Sequence, residues 1–420
     1  MNNPVTLNQS AFYSEDRISS SKIDRELFVT TDSMVPDKNG ITIPSIQPKG
    51  SLIAFAEGDI LVGNIRPYLK KIWYADRKGG CSPDVLVLKA KPGVDSKFLY
   101  YSLFRDDFFS HMMKGSKGTK MPRGDKSQIM RFHIPEFDYT NQQRISSVLY
   151  ALDAKANLNK KIISEIDSMA KVIYDYWFLQ FDFPDRDGKP YRTNGGKMKW
   201  DDKLKMNIPV NWSVSKLADL IDIDKSGDWG KEFPEGSFTK KVFCFRGADI
   251  NGLNGLDKLS PPIRYISDKN SFKILKSHDL IIEISGGSPT QSTGRSAFIT
   301  DSTIKRFKYP LICSNFCKPV SMKNKKLLYN FVYNWSTLFD SGVFFGFEGK
   351  TSGIKNLLFD TAVNSCFMVV PDDETLNAFY PIMDSIQEMK QTALAENHKL
   401  GEIRDWLLPL LMNKQIKLEG

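Results

Sequence analysis

Apolar side chains recur at alternating steps of three and four residues along two long stretches of this chain. The first runs over 141–178, where Ile145, Leu149, Leu152, Ala156, Asn159, Ile163, Ile166, Ala170, Ile173 and Trp177 fall on one seam. That spacing predicts a helix packed along its length on another helix. Its 38 residues would span ~57 Å at 1.5 Å per residue, too long for one compact domain. Pro135 precedes it, and either Asp138 or Thr140 could cap its start. The second stretch begins near Thr375, after Pro371 and the acidic pair Asp372 and Asp373. Leu376, Phe379, Met383, Ile386, Ala393, Asn397, Leu400, Leu407 and Leu411 continue a similar seam, interrupted at Lys390 and Arg404, with Met389 and Ile403 beside them. Each seam holds one asparagine, Asn159 and Asn397. Two readings stay open for them: fixing the register of the helices, or facing water on a curved helix.

The segments ahead of the two stretches echo each other. Gly-Asp opens the strand-like run at 57–69, and His-Asp opens a comparable one at 277–285. Each is followed by more β-rich sequence, then a helical segment (98–104 and 327–335), then a Gly/Lys/Thr loop (115–124 and 348–356). The pattern predicts a mixed α/β (α+β) chain: two globular domains separated by two long antiparallel coiled-coil-like helices, duplicated about a pseudo-two-fold. The expected boundaries are a first globular domain at 1–135, the first long helix with a polar linker at 136–197, a second globular domain at 198–370, and the second long helix at 371–420. The linker, 184–197, is rich in Gly, Pro and charge.

Composition adds little to this organisation but narrows the chemistry. Of 420 residues 41% are hydrophobic, enough for two or more cores. The net charge of +9 is compatible with a polyanionic partner. Five cysteines, odd in number and scattered, argue against a disulfide scaffold. Cys313 and Cys317 have no second Cys or His pair to complete a metal site, so no metal is expected. No apolar run reaches the roughly 18 residues of a membrane span, and the first residues lack the basic and apolar regions of a signal peptide. The expectation is a cytoplasmic chain with no membrane association.

Catalytic motifs come close but fail. Gly349-Lys350-Thr351 ends like a phosphate-binding loop, yet the glycine required five residues earlier is Phe344. Ser260-Pro261-Pro262-Ile263 lacks both the amide and the aromatic that would hold a flipped base. No catalytic residue is assigned. Basic loops are the positive signal. Lys114, Lys117, Lys120, Arg123, Lys126 and Arg131 lie within 111–131 against one acid, Asp125; Arg66, Lys70, Lys71, Arg77 and Lys78 interleave with Tyr68, Trp73 and Tyr74. Cations of this kind hold phosphates, and arginine can fork onto guanine. The candidate DNA-binding residues are Arg66, Lys70, Lys71, Lys117, Lys120, Arg123, Lys126, Arg295, Lys350, Thr351, Ser352 and Lys355. The seam residues expected to pack the helices and set their register are Ile145, Leu149, Leu152, Asn159, Ile163, Ile166, Ile173, Phe379, Met383, Ile386, Asn397, Leu400 and Leu407.

Over nearly its whole length the sequence resembles the specificity subunit of bacterial type I restriction-modification enzymes. The resemblance rests on Gly-Asp-Ile-Leu at 58–61 with IRPYLKK at 65–71, on 278–299, on IPVNWSVSKLADL at 208–220, and on the helical segments 142–162, 169–178 and 396–413. The Glu-Gln after Pro-Pro usual at the first helix is missing: Pro135 is followed later by Asn141-Gln142. The resemblance implies a non-catalytic subunit of a type I restriction enzyme and adenine-N6 DNA methyltransferase complex. Each globular domain would read one half-site of a split double-stranded DNA target, with the helices setting the spacer. Two modification subunits would dock on it, and motor-nuclease subunits would join through them. S-adenosylmethionine, ATP and Mg would sit on those partners, with no cofactor on this chain. The alternatives are a stand-alone DNA methyltransferase or nuclease with an unrecognised site, and a coiled-coil adaptor whose basic loops meet an acidic protein.

Overall fold

The computed structural model describes residues 5–118, 120–256, 259–286, 290–351 and 353–416, excluding the side chains of Ile223, Asp224, Lys350 and Thr351. The chain divides into two units, Met1–Asn157 with His398–Gly420, and Leu158–Asn397. This division cuts both long helices, Tyr139–Tyr174 and Asp373–Met412, while 1–135 and 198–370 each fall inside one unit.

In the first unit the strands Ala11–Tyr13, Val85–Ala90, Ile60–Gly63 and Ile72–Tyr74 form one sheet in that spatial order, antiparallel throughout. Ile60–Gly63 is buried along its whole length, so its sequence is an unbroken apolar run rather than an alternation. A second sheet orders Arg17–Ser19, Ser51–Phe55, Gly79–Cys81 and Phe28–Val29, the last pair parallel. Between the first sheet and the long-helix segments lies the helix Ser96–Leu103, started by Asp95, whose Oδ1 accepts from the Phe98 N–H at 2.7 Å. Phe98, Leu99, Phe108, Ile145, Leu149, Leu408 and Leu411 share its core.

The second unit repeats the first sheet. Ile221–Asp224, Cys317–Met322, Leu280–Glu283 and Ser296–Phe298 lie in the same spatial order with the same antiparallel pairing. Phe238–Phe245 pairs in parallel with Leu311–Cys313, as Phe28–Val29 does with Gly79–Cys81. The helix Leu328–Asp340 takes the place of Ser96–Leu103. The repeated order of strands is the duplication expected from sequence.

The long helices pack antiparallel within each unit. In the first unit Ile145 and Leu149 meet Leu408, Leu411 and Met412, with Leu407 partly buried beside them. In the second, Ile163 meets Ala393 and Leu394, while Ile166, Ala170, Trp177 and Phe178 meet Phe379, Met383 and Ile386, with Ile173 at the edge. Leu152 and Leu400 are half-buried. Asp138 is the residue that starts the first helix, its Oδ1 accepting from the Asn141 N–H at 2.8 Å; Asp372 does the same for Thr375 at 2.9 Å. Asn159 does not face water: it is buried and its Nδ2 donates to Asn397 Oδ1 at 2.9 Å and to Glu396 Oε2 at 2.7 Å.

Lys390 and Arg404 do not interrupt the second seam; both occupy seam positions. Lys390 is buried and its ammonium contacts both oxygens of Asp167 at 2.8 Å. Arg404 reaches Asp153 at 2.8 Å, and Asp153 also accepts from the Tyr101 hydroxyl at 2.7 Å. The neighbours Met389 and Ile403 are exposed. The first helix ends in a π turn at Asp175–Leu179. The segment read as a polar linker is pinned to the second unit: Phe183 stacks on Trp212 at 4.7 Å and on Tyr191 at 4.7 Å.

Candidate nucleic-acid interface

Two basic segments far apart in sequence converge in the first unit. Lys117 and Arg123 face each other as a small hairpin, with backbone hydrogen bonds of 3.0 Å in both directions, and Ile65 bridges to Arg123. The Arg66 N–H donates to the Pro122 carbonyl at 2.8 Å, which locks the hairpin to the turn at Pro67–Leu69. That turn is flanked by two left-handed residues, Arg66 (φ 51) and Lys70 (φ 51). Neither is glycine, so the conformation is strained and is held by its surroundings. The Asp37 and Lys38 N–H groups donate to the Leu69 and Lys70 carbonyls at 2.9 and 3.0 Å. Lys38 and Lys70 both close on Asp106, at 2.6 and 2.9 Å. Burial works to raise the Asp106 carboxyl, but the two ammonium groups outweigh it and hold it below the usual range.

This frame leaves Arg66, Tyr68, Lys117, Lys120 and Arg123 exposed on one stretch of surface, with Lys126 exposed nearby. Arg123 is steadied by Asp84 at 3.0 Å. Lys117 lies 3.8 Å from Asp125 and keeps 87% of its side chain in solvent. Asp125 itself starts the short helix Lys126–Ile129, and the Gln128 N–H holds its carboxyl below the usual range. A cluster of extended cations around an exposed tyrosine can hold phosphates and stack on a base or sugar.

Two of the candidate cations point elsewhere. Lys71 is 8% exposed and donates to the Thr31 carbonyl; burial pushes its ammonium down. Arg295 is forked onto Glu283 at 2.6 and 2.8 Å, and the Glu283 hydrogen bond holds its guanidinium in the charged form. Lys71 is thus buried, and Arg295 keeps 19% of its side chain in solvent while both its ends are engaged by protein groups. Lys355 is largely covered and sits 3.1 Å from Glu348. Lys350 and Thr351 lie in the strand Glu348–Thr351, with side chains outside the described residues, and so does the whole of Ser352. The strand Glu348–Thr351 pairs with Ile354–Leu357, which pairs in turn with Ser285–Gly286 just after the central strand. The Lys117–Arg123 hairpin bridges to Ile65 in the corresponding place.

The acids that orient these cations, Asp84 and Asp106, and the cation Lys38 were not singled out by the sequence, because each gains its meaning from a partner at least 36 residues away. Among the described residues no group of three or more His, Cys, Asp or Glu side chains could hold a metal ion. No described helix is long and apolar enough to cross a membrane.

Comparison with known proteins bears on the fold. Residues 17–168 match the family model described as the type I restriction modification DNA specificity domain. The chain is 22% identical over 330 residues to the type I restriction enzyme MjaIX specificity subunit of Methanocaldococcus jannaschii, over 78% of this chain and 71% of the relative. It is 23% identical over 406 residues to the type I restriction enzyme HindI specificity subunit of Haemophilus influenzae, over 86% of this chain and 87% of the relative. The crystal structure of the type I restriction-modification S subunit from M. genitalium has the same fold, with a TM-score of 0.54 at 15% identity over 99% of this chain and 96% of that one.

Proposed function

We propose that this chain, whose residues 17–168 belong to the type I restriction modification DNA specificity domain family, reads a bipartite double-stranded DNA target and performs no chemistry on it. The observation that carries the proposal is repetition. Both units hold a four-stranded sheet in one spatial order, each followed by a hairpin bridged just beyond its central strand. A duplicated reader suits a split target, with one half-site per unit. The exposed cations around Arg66 and Arg123 would supply phosphate contacts in the first unit. The two helices, in register through Asn159 with Asn397 and Lys390 with Asp167, would fix the spacer.

Methylation and cleavage then belong to partners. The first long helix carries a second apolar seam on its outer side. Leu158, Ile162, Met169, Val172, Tyr176 and Leu179 are all exposed, the first four at steps of four, seven and three residues that keep them on one helix face, the last two in the closing π turn. This face supports docking of modification subunits, which would bring S-adenosylmethionine and the adenine-methylating site. Motor-nuclease subunits using ATP and Mg would join through them.

Mapping methylated adenines in host DNA with and without this gene tests the reading. The expected result is a split motif that disappears with the gene. Exchanging residues 1–135 for those of another such chain should change one half of that motif. Methylation or cleavage of DNA by the isolated chain would instead establish the stand-alone enzyme.

A further inference from the structure

The two units repeat one detail that neither charge nor motif singles out. In the first, the loop 64–70 leaves the strand Ile60–Gly63 and returns at Lys71, ahead of Ile72–Tyr74. The Gly63 N–H donates to the Lys71 carbonyl at 2.9 Å and closes the loop. In the second, the loop 284–294, of which 287–289 lie outside the described residues, leaves Leu280–Glu283 and returns at Arg295, ahead of Ser296–Phe298. The Glu283 N–H donates to the Arg295 carbonyl at 2.8 Å. Lys71 and Arg295 therefore hold the same position in the repeated sheet.

Their side chains also end in the same place. Lys71 Nζ donates to the carbonyl of Thr31, two residues beyond Val29, which pairs in parallel with Cys81. Arg295 Nη2 donates at 3.0 Å to the carbonyl of Gly247, two residues beyond Phe245, which pairs in parallel with Cys313. The second contact is close enough that a Cβ on Gly247 would lie 2.5 Å from the Glu283 carboxylate bound to Arg295. In both units a cation at the close of the loop thus ties the first sheet to the turn after a strand of the neighbouring sheet. The loops above share neither length nor sequence, whereas the peg beneath them is common. A common anchor under two different loops is what a two-headed reader needs if each set of contacts is to be held within about half an ångström while the two sets differ.

We propose that Lys71 and Arg295 are equivalent positioning residues, one per unit, that hold the returning end of each loop in place for DNA reading without touching DNA. The proposal rests on the bipartite reading above. Each anchor acts on its own half-site alone, because its hydrogen bonds stay within its unit. The charge matters as well as the shape: without the charged donor the link from the loop end to the neighbouring sheet is lost, and the loop end is freed to move.

The test uses the full chain co-expressed with its modification subunits, with methylated adenines mapped genome-wide. Lys71→Met and Arg295→Met retain much of the apolar stem and remove the donor. Each is expected to raise methylation at sites carrying one wrong base in a single half of the motif by about tenfold, Lys71→Met in one half and Arg295→Met in the other. Lys71→Arg and Arg295→Lys should restore fidelity. Thermal unfolding is measured alongside; if a methionine variant does not fold, Lys71→Gln and Arg295→Gln carry the same comparison. A fall in total methylation with the motif unchanged, loss of fidelity in both halves together, or no effect would overturn the proposal. A wild-type chain that yields no split motif would instead sink the bipartite reading itself.

Discussion

Removing Asp167 should destabilise the helix pair more than removing its partner. Lys390 leaves only 9% of its side chain in solvent, whereas Asp167 keeps 40%, and the two meet through two contacts of 2.8 Å. Asp167→Ala strands a buried ammonium without its counter-charge, a change that costs about 3 kcal/mol for a well-buried pair. Water reaching the open side of Asp167 reduces this to about 2 kcal/mol. Lys390→Met keeps the bulk of the buried stem and leaves a carboxylate that water already hydrates, at a cost of about 0.5 kcal/mol. The double variant removes both charges and should lie within about 0.5 kcal/mol of the parent, since burying apolar groups of similar volume offsets the missing pair. Urea unfolding of the four proteins gives the coupling energy directly. An Asp167→Ala variant no less stable than Lys390→Met would refute the asymmetry, and a double variant worse than either single would show that the pair does not act alone.

Three further outcomes follow from the surface and the core. Replacing Arg66, Lys117, Lys120 and Arg123 with alanine should flatten the dependence of log affinity on log salt by about 0.9 for each phosphate left without its cation, while Lys71→Met leaves that slope unchanged; titrations of duplex DNA at several salt concentrations decide it. Met169→Asp with Val172→Asp places charge on the exposed outer seam, so modification subunits should no longer co-purify, while stability changes by no more than about 0.5 kcal/mol; stoichiometric co-purification would count against that face. Burial pushes the thiols of Cys81, Cys244 and Cys317 up to about 12, which keeps them protonated at pH 8, so iodoacetamide should modify the chain only after unfolding; rapid labelling of the native protein would contradict their placement.

The long helices were legible because their signal is local. A seam at steps of three and four residues follows from helical geometry alone, and the structure starts those helices within two residues of the expected places. The duplication was legible for a related reason: central strands buried on both faces leave unbroken apolar runs, and two of these recur with similar flanking segments. The basic loops could be found by composition. Composition could not sort exposed cations from anchored ones, because Lys70 and Lys71 are neighbours in sequence yet one turns to Asp106 at the surface and the other to the Thr31 backbone carbonyl.

What the sequence determined by itself, then, is the set of elements and their repetition, both fixed by periodicity and by runs of apolar residues. Which charges are free and which are structural was decided only by the tertiary structure. Lys390 and Arg404 look like breaks in a seam until Asp167 and Asp153, each more than 220 residues away, are brought against them. Lys71 and Arg295 look like ligand-binding cations until the fold brings the carbonyls of Thr31 and Gly247 against them. A charge takes its role from its nearest counter-charge and its access to water, and long-range packing sets both.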